Sequence, residues 1–455
     1  MARSGRATPD SNDSQPRVNG FRAAIGSKGF LRLLIGQGVS SLGDWVATLA
    51  FIAAAFALSG GNQTAVGVVL VLRLVPPIFA APVGGVVADR WSRRSIMVTC
   101  DLARAGLIVL VPFVNIALLY VIAFVHESIS LFFLPARDSS VPDLVPEGAR
   151  EEANGLLLAS SYGSIPLSAA MFGGLRLVAS HIPSWMPFAE VLRAHPTSFA
   201  FFFDAATFFF SASMIAKLQL DRQRGPQHVE LFRDAAEGFR YVIGHPTLRS
   251  LAYGLIVSMF GGGVLFAVGI GYVRTTLGGN DVAFGWLAAL WGAGMGIGLL
   301  IVRVLIKERG RPFIFLVAVM ACGGVLIFMA LVPVLWIAFV AAVIFGTVFS
   351  VAIVVALTMA QETAEPSVRG RMMGGVQMLF RFGLGVGAIG IGALAHSVNR
   401  LRIGVTLDGN QVGLLAGGAL ILLGSAAASG VLRRVQLEPS GDRETRRRLG
   451  DEATA

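Results

Sequence analysis

Twelve apolar stretches, each about as long as a helix that crosses a bilayer, constrain the fold of this chain more than any other feature. A helix needs about 20 mostly apolar residues to span the hydrocarbon core. Only 14% of the 455 residues are charged and 55% are hydrophobic, which leaves too little polar surface for a soluble protein of this length. We therefore predict an all-α membrane protein with twelve transmembrane helices. The stretches lie near residues 32–57, 64–88, 95–114, 116–136, 153–179, 198–218, 249–273, 282–306, 312–332, 334–360, 372–396 and 411–432.

The distribution of Lys and Arg predicts which side of the membrane each loop faces, because cytoplasmic loops are enriched in these residues. If the N-terminus is cytoplasmic, the inner segments carry 29 of the 37 basic residues and the outer loops carry 4. Both termini are therefore expected in the cytoplasm. The net charge of +10 follows from this topology, and because the basic residues are spread over seven segments, nucleic-acid binding is not expected. The remaining basic residues lie within spans: Arg73, Arg104, Arg176 and Arg381.

The chain divides into two halves at its longest polar interruption, residues 219–247. Short signals recur on both sides of it at a nearly constant offset. SRR at 92–94 and GRP at 310–312 are 218 residues apart, and Pro146 and Pro366 are 220 apart. Such an offset indicates two six-helix repeats, which is a known transporter architecture.

The halves and the segments around them give five predicted regions. The linker has apolar residues at helical spacing between positions 232 and 243 and charged residues on the other face, which predicts an amphipathic helix at the cytoplasmic membrane surface. The regions are a disordered cytoplasmic N-terminal tail (1–28), an N-terminal six-helix bundle (29–219), a cytoplasmic linker with the amphipathic helix (220–247), a C-terminal six-helix bundle (248–437) and a disordered C-terminal tail (438–455).

A tight charge cluster, GGVVADRWSRRS at 84–95, separates the second and third apolar stretches. It resembles the loop 2–3 signature of the Major Facilitator Superfamily, G-x-x-x-D-R-x-G-R-R, and departs from it at Ser92, where the family usually has Gly. Its matching residues are Gly85, Asp89, Arg90, Arg93 and Arg94. Further stretches resemble the branch that contains macrolide, siderophore and lysophospholipid exporters: GQGVSSLGDW (36–45), FFLPARDSSVPDLVP (132–146), the AN at 153–154 and EPSVRGRMMGG (365–375).

The resemblance implies a fold and an activity. The fold is two six-helix pseudo-repeats around a central cavity, and the activity is secondary active transport of a small molecule across a bacterial inner membrane. The resemblance also assigns the loop 2–3 residues a latch role between the cytoplasmic ends of the halves, with Asp138 as the expected local partner of Arg93. The alternative is that the arginines only anchor the loop on the cytoplasmic side, which requires no Asp. The chain is expected to work as a monomer in the lipid bilayer, without a cofactor.

Ionisable residues inside spans are costly and therefore indicate functional sites. Asp44, Glu127 and His126 lie near the middle of their spans and are candidates for coupling transport to protons. An antiporter of this kind needs a group that binds and releases a proton in each cycle. The alternative for Asp44 is a permanent structural pair with Arg73 or Arg381.

Other intramembrane residues favour structural roles. Asp101 and Arg104 are three residues apart on one face of span 3, so they are expected to pair. Asp204 is expected to reach water at the outer leaflet, and Arg176 to extend outward to the interface. Glycines recur in spans 8 and 11, which favours close helix crossings. Gly43 is expected to leave room for a substrate or water beside the neighbouring carboxylate.

These features favour one function over the others that we considered. The chain is predicted to export a hydrophobic or amphipathic, drug-like compound by proton antiport, and the alternative is transport of a lysophospholipid or a siderophore. An enzyme is not expected, since His126-Glu127 is followed by Ser-Ile-Ser rather than completing HExxH. No G-x-x-x-x-G-K-[ST] pattern occurs, so no ATP-driven motor is expected. Cys100 and Cys322 lie within spans and imply no metal site.

Overall fold

The computed structural model describes residues 20–74, 76, 92–182, 197–220, 231–364, 369–401 and 407–436. These residues are almost entirely helical and include no strand. Short 3-10 turns follow α4 (Val111–Phe113) and α5 (Glu147–Ala149), and a π turn (Tyr272–Thr276) follows α10. The helices are α1 (Gly20–Gly26), α2 (Lys28–Leu58), α3 (Gln63–Leu74), α4 (Arg93–Leu110), α5 (Ile116–Leu144), α6 (Arg150–Gly163), α7 (Ile165–Ser180), α8 (Ser198–Ala216), α9 (Leu231–Gly244), α10 (Pro246–Gly271), α11 (Asp281–Arg309), α12 (Arg311–Leu331), α13 (Leu335–Thr363), α14 (Arg369–Leu401) and α15 (Gly409–Gln436).

The described residues contain eleven helical segments long and apolar enough to cross a membrane, which confirms the all-α membrane fold. The shorter apolar helix α3 begins the predicted second span, 64–88, most of whose remainder falls outside the described residues. The motif residues Gly85, Asp89 and Arg90 fall outside them too. So do residues 1–19 and 437–455 of the predicted tails, and 221–230 of the linker.

Polar side chains fix where several spans begin. Ser27, Ser92, Asn115 and Asn280 precede α2, α4, α5 and α11, and the side-chain oxygen of each accepts a hydrogen bond from the backbone N–H three residues later. Each bond satisfies one of the amide groups that a helix start leaves unpaired. Ser92 therefore caps span 3 in the position where the motif usually has Gly.

The fifth span is broken near its middle. It consists of α6 and α7, with Ser164 between them and Pro166 in the first turn of α7. Proline has no backbone N–H to donate, so the first turn of a helix tolerates it. The backbone N–H and Oγ of Ser168 each donate a hydrogen bond to the carbonyl oxygen of Ser164 at 2.8 Å, so that carbonyl is fully paired between the two helices.

The helices pack mainly within two halves, which we call the N-terminal half (20–220) and the C-terminal half (246–436). In the first, α8 lies against α2 and α4, and α4 packs on α5. In the second, α11 packs on α13, α10 on α14, and α12 on α15. The halves meet mainly where α7 packs on α11 and where α3 packs on α14.

Glycines permit a close helix crossing in the C-terminal half. A Cβ added to Gly294 in α11 would lie 2.1 Å from the carbonyl oxygen of Val343, and one added to Gly346 in α13 would lie 2.0 Å from that of Trp291. Backbone atoms of a packed helix cannot move aside to relieve such overlaps. Glycine at these two positions therefore lets the backbones of α11 and α13 approach closely, as small residues do in membrane helix pairs.

The linker helix α9 packs against α14 and, more weakly, against α10. Val242 near its C-terminal end is buried, whereas Arg240 and Ile243 are exposed. One part of the helix therefore contacts the protein. The prediction that its apolar face lies on the cytoplasmic membrane surface stays a prediction.

Candidate functional site

Seven ionisable side chains from five helices meet inside the N-terminal half. All of them lie in apolar stretches, where a charge is costly unless it has partners. Because they come from distant parts of the sequence, only the packing of the helices brings them together. We call them the charge cluster: Asp44 in α2, Arg73 in α3, Asp101 and Arg104 in α4, His126 and Glu127 in α5, and Asp204 in α8.

Arg104 lies at the centre of the cluster. Its guanidinium forms a salt bridge with Asp101, one helical turn earlier, and Nη1 lies 3.9 Å from Oδ2 of Asp44. The guanidinium carbon also lies 4.7 Å from the ring centroid of Phe133 and 4.3 Å from that of Phe208. Charged partners and aromatic faces thus replace the water that this buried arginine has lost.

A second ion pair joins α3 to α5. Nη2 of Arg73 lies 3.8 Å from Oε2 of Glu127. Asp44 therefore has Arg104 as its ion-pair partner. The alternative given by the sequence was a structural pair with Arg73 or Arg381, and neither is the observed partner. Arg381 in α14 forms no ion pair with any described residue.

Three members of the cluster are fully buried and incompletely paired, and one of them is Asp101, whose Oδ2 has no hydrogen-bond partner among the described residues. Asp204 and His126 are each 0% exposed. Oδ2 of Asp204 and both ring nitrogens of His126 have no hydrogen-bond partner among the described residues. Buried polar atoms without a partner are rare in native proteins. The expectation that Asp204 reaches outer-leaflet water is wrong, because α8 packs this face against α2 and α4.

Asp44, His126 and Asp204 converge on one point. A carboxylate oxygen or ring nitrogen from each lies within 4.8 Å of the corresponding atoms of the other two. A Cβ added to Gly43 would lie 2.1 Å from Oγ1 of Thr207 and 2.5 Å from Oδ1 of Asp204. Gly43 therefore lets α2 approach α8 closely. The expectation that Gly43 leaves room for a substrate or water beside Asp44 is wrong.

The charge of the cluster is unbalanced. It contains four carboxylates and two guanidiniums, so its formal charge is −2 when the carboxylates are ionised and the imidazole is neutral. The members also differ in the fraction of the side chain that is exposed. The side chains of Asp44 and Glu127 are 29% and 21% exposed, whereas that of Asp101 is 0% exposed. Asp44 and Glu127 thus form the accessible edge of the cluster, and Asp101 and Asp204 lie in its interior.

At the end that the basic residues assign to the cytoplasm, Arg93 binds within its own half. Its Nη1 lies 2.7 Å from Oδ2 of Asp143 and donates to the carbonyl oxygen of Ser139 at 2.8 Å. Asp138 is bound instead by Arg137, so the expected partner of Arg93 is wrong. The reason is that α5 stays helical to Leu144, and residues five apart on a helix point about 140° away from each other.

At the opposite end, which is the outer one, polar side chains join the two halves. Asp281 at the start of α11 forms salt bridges with Arg176 of α7 and with Arg274 of the π turn. Nε2 of Gln63 donates a hydrogen bond to Oδ1 of Asn410 at 2.9 Å. Among the described residues, the salt bridges and side-chain hydrogen bonds between the halves all lie at this end. The expectation that Arg176 extends outward to the interface is wrong, since Asp281 binds it.

Comparison with known proteins decides the family. A sequence profile of the Major Facilitator Superfamily matches residues 33–388, which is most of the chain. The chain belongs to the Major Facilitator Superfamily. It is therefore a multi-pass membrane transport protein, and not an enzyme.

Relatives from Bacillus subtilis (strain 168) agree with this assignment, and with the apolar helices they are consistent with a multi-pass protein of a bacterial inner membrane. The uncharacterized MFS-type transporter YfiS is 27% identical over 417 residues, which cover 87% of this chain and 92% of YfiS. The uncharacterized MFS-type transporter YkuC is 24% identical over 342 residues, which cover 70% of this chain and 74% of YkuC.

Solved transporters of the superfamily share the fold. A bacterial homologue of the human lysosomal transporter Spinster, in an inward-facing and unoccupied conformation, gives a TM-score of 0.71 at 16% identity and covers 92% of this chain and 98% of its own. The nucleoside transporter NupG gives 0.68 at 12% identity and covers 89% of this chain and 98% of its own. Identities this low show the fold alone, which is the predicted superfamily architecture of twelve helices in two repeats.

Three of the residues that join the halves have no strong signal in the sequence. Gln63, Asp281 and Asn410 each lie near the end of a span, where polar residues are common. The available signal was that Asp281 is an acidic residue on the side of the membrane that has four basic loop residues. That signal does not identify the partner. The latch role of the loop 2–3 motif stays a prediction, since its Asp lies outside the described residues.

Proposed function

We propose that this transporter exports a hydrophobic or amphipathic small molecule in exchange for protons, and that the charge cluster binds those protons. The observation that carries the proposal is the formal charge of −2 inside the N-terminal half. An ionised carboxylate in the membrane interior is unfavourable unless a partner neutralises it. Two bound protons would neutralise the cluster, and their release would restore the charge.

Proton binding at the accessible edge would change how the helices are held together. Asp44 of α2 is tied to Arg104 of α4, and Glu127 of α5 is tied to Arg73 of α3. Protonation of either carboxylate removes the charge from its ion pair and frees the guanidinium for the remaining carboxylates. Protonation is thereby linked to contacts between helices, as antiport by alternating access requires.

An apolar substrate fits the aromatic interior of the C-terminal half. Trp291 is surrounded by aromatic rings, with its centroid 5.0 Å from that of Phe266 and 5.8 Å from that of Phe349. Its Nε1 is buried without a hydrogen-bond partner among the described residues. Such a group of rings with one free donor suits a hydrophobic compound that carries an acceptor. The relative BacE, 24% identical, is described as a candidate bacilysin exporter, which agrees with the proposed direction.

The first experiment identifies the compound. Growth of a strain lacking the gene is compared with growth of the complemented strain in the presence of drugs, siderophores and lysophospholipids. Increased sensitivity to hydrophobic drugs supports the proposed substrate class. A growth defect confined to siderophores or lysophospholipids would support the alternative substrates instead.

The second experiment tests the coupling with Asp44→Asn in inside-out vesicles. The variant should lose accumulation driven by a proton gradient and keep exchange of labelled for unlabelled compound, because the amide keeps the shape of the side chain but binds no proton. Asp138→Asn is the matched control, since Asp138 is exposed and lies outside the cluster. Full proton-driven accumulation in well-expressed Asp44→Asn would exclude Asp44 from coupling.

A further inference from the structure

Asp44, His126 and Asp204 combine features of a metal site that proton binding alone does not explain. We propose that these three side chains form a binding site for one divalent transition-metal cation. The proposal goes beyond the export function, because it concerns a bound ion other than the proton and holds whichever compound is exported.

The geometry brings one ligand atom from each of three helices to a common point. The three atoms lie within 4.8 Å of one another. A transition metal binds nitrogen and oxygen ligands at about 2.0–2.2 Å, so two ligands of one ion are at most about 4.4 Å apart. Movement of about half an ångström, which a side-chain rotation supplies, therefore closes the site. The described residues contain no other group of three His, Cys, Asp or Glu side chains within such reach.

Unused lone pairs at this point are an independent observation. His126 and Asp204 are each 0% exposed, and the atoms without a hydrogen-bond partner are Oδ2 of Asp204 and both ring nitrogens of His126. A buried imidazole normally has at least one partner, because an unmade hydrogen bond in the interior is costly. A metal ion would take one imidazole lone pair and one from the carboxylate, and so would satisfy both side chains.

Charge favours a divalent ion. The cluster has a formal charge of −2, so one such ion neutralises it completely. Arg104 does not prevent binding, since it has Asp101 as a second partner when Asp44 turns toward the ion. Asp44 is also the accessible member, with 29% of its side chain exposed, and it offers the ion a route to two ligands that are fully buried.

The ligand set defines the class of ion. Two carboxylates and one imidazole suit Mn²⁺, Fe²⁺, Co²⁺ and Zn²⁺. Ca²⁺ and Mg²⁺ prefer oxygen ligands alone, and Cu⁺ prefers sulfur. The site is therefore expected to select first-row transition metals over the alkaline-earth ions.

The test uses the full-length protein, purified in detergent and freed of metal with a chelator. Binding of Zn²⁺ is measured by calorimetry and binding of Co²⁺ by its visible absorption. We expect one equivalent bound by the wild type, and a loss of affinity of more than about tenfold in His126→Gln and in Asp204→Asn. His396→Gln is the matched control, because it removes an imidazole from a span of the C-terminal half that has no such cluster, and it should bind as the wild type does.

Two results would overturn the proposal: no binding of either ion by the wild type, or unchanged binding in His126→Gln. A measurement on the wild type alone covers the case in which a variant does not fold. The X-ray absorption spectrum of bound Zn²⁺ should show one imidazole among nitrogen and oxygen ligands, and a spectrum without imidazole also rejects the site. The transport assay with Asp44→Asn is run in the presence of chelator, so failure of proton coupling and failure of metal binding are separate results.

Discussion

The two halves of the molecule share a fold but differ in what fills their interiors. The N-terminal half encloses seven ionisable side chains whose charges do not balance. The described part of the C-terminal half has packed aromatic rings, and glycines bring the backbones of α11 and α13 into contact. A repeated architecture therefore does not require repeated chemistry. The cluster of paired ionisable groups lies in the N-terminal half, whereas α11 and α13 of the C-terminal half meet through close backbone contact.

The largest expected effect tests whether charged side chains inside the spans stabilise the fold of the N-terminal half but not that of the C-terminal half. Arg104→Met should lower the free energy of unfolding by about 3–5 kcal/mol, because Asp101 is then buried without a charged partner. Arg381→Met is the same substitution in the other half, where the arginine has no ion pair with a described residue, and it should cost under about 1 kcal/mol. The measurement is unfolding by titration with a denaturing detergent. Equal losses in the two variants would show that the charge cluster gives Arg104 no larger structural role than Arg381 has.

The next effect tests the dependence of the C-terminal half on backbone contact. Gly346→Ala should lower the free energy of unfolding by about 1–3 kcal/mol, since the new methyl group meets the carbonyl oxygen of Trp291. Gly324→Ala in α12 is the control, because a Cβ there has no atom within 4 Å, and it should be neutral or slightly stabilising. The same detergent titration applies. A destabilised Gly324→Ala would mean that helix flexibility, and not contact, is what matters.

A smaller effect concerns the outer end, where the halves join. Arg176→Gln removes a salt bridge between the halves, and Arg311→Gln removes one within the C-terminal half. The pair between the halves is largely buried, but Asp281 keeps Arg274 as a partner when Arg176 is removed. We therefore expect a loss of about 1–2 kcal/mol, which corresponds to about a five- to thirtyfold change in the ratio of open to closed forms. A cysteine placed at Ala169, which is buried where α7 meets α11, should react faster with a membrane-impermeant thiol reagent when Arg176→Gln is present and much less so with Arg311→Gln. Equal rates would show that Arg176 does not hold the halves together.

The smallest effect concerns the cytoplasmic surface of the N-terminal half. Asp143→Asn should lower the free energy of unfolding by under about 1 kcal/mol, because it removes the partner of Arg93 at a partly exposed site. Asp138→Asn should cost less still, since more than half of that side chain is exposed. Detergent titration of the two variants side by side gives the difference. A larger loss in Asp138→Asn would favour Asp138 as the partner of Arg93, as the sequence suggested.

The spans were predictable because their signal is local. The predicted stretch 334–360 corresponds to α13 (Leu335–Thr363), and 282–306 lies within α11 (Asp281–Arg309). Length and hydropathy decide such segments without knowledge of their neighbours. The break in span 5 at Ser164 was not predicted, because a proline inside an apolar run is equally compatible with a continuous kinked helix.

The partners of the charged residues were predictable only within one helix. The Asp101–Arg104 pair follows from a spacing of three residues. The pairing of Asp44 with Arg104 and the inward position of Asp204 depend on how α2, α4 and α8 are rotated against each other, which periodicity does not give. The proposed metal site could not be recognised in the sequence for the same reason. Its ligands are more than 70 residues apart in sequence, and known metal motifs are recognised by short spacings.

Asp281 affects how fast the two halves can separate at the outer end. It has one cationic neighbour in each half, Arg176 in the first and Arg274 in its own. When the halves separate, Asp281 keeps its salt bridge with Arg274, so its carboxylate is not left without a partner. Only the guanidinium of Arg176 has to be rehydrated. The barrier to opening is then set by separating the packed surfaces of α7 and α11 more than by pulling opposite charges apart. Turnover limited by this step would depend steeply on temperature and only weakly on ionic strength.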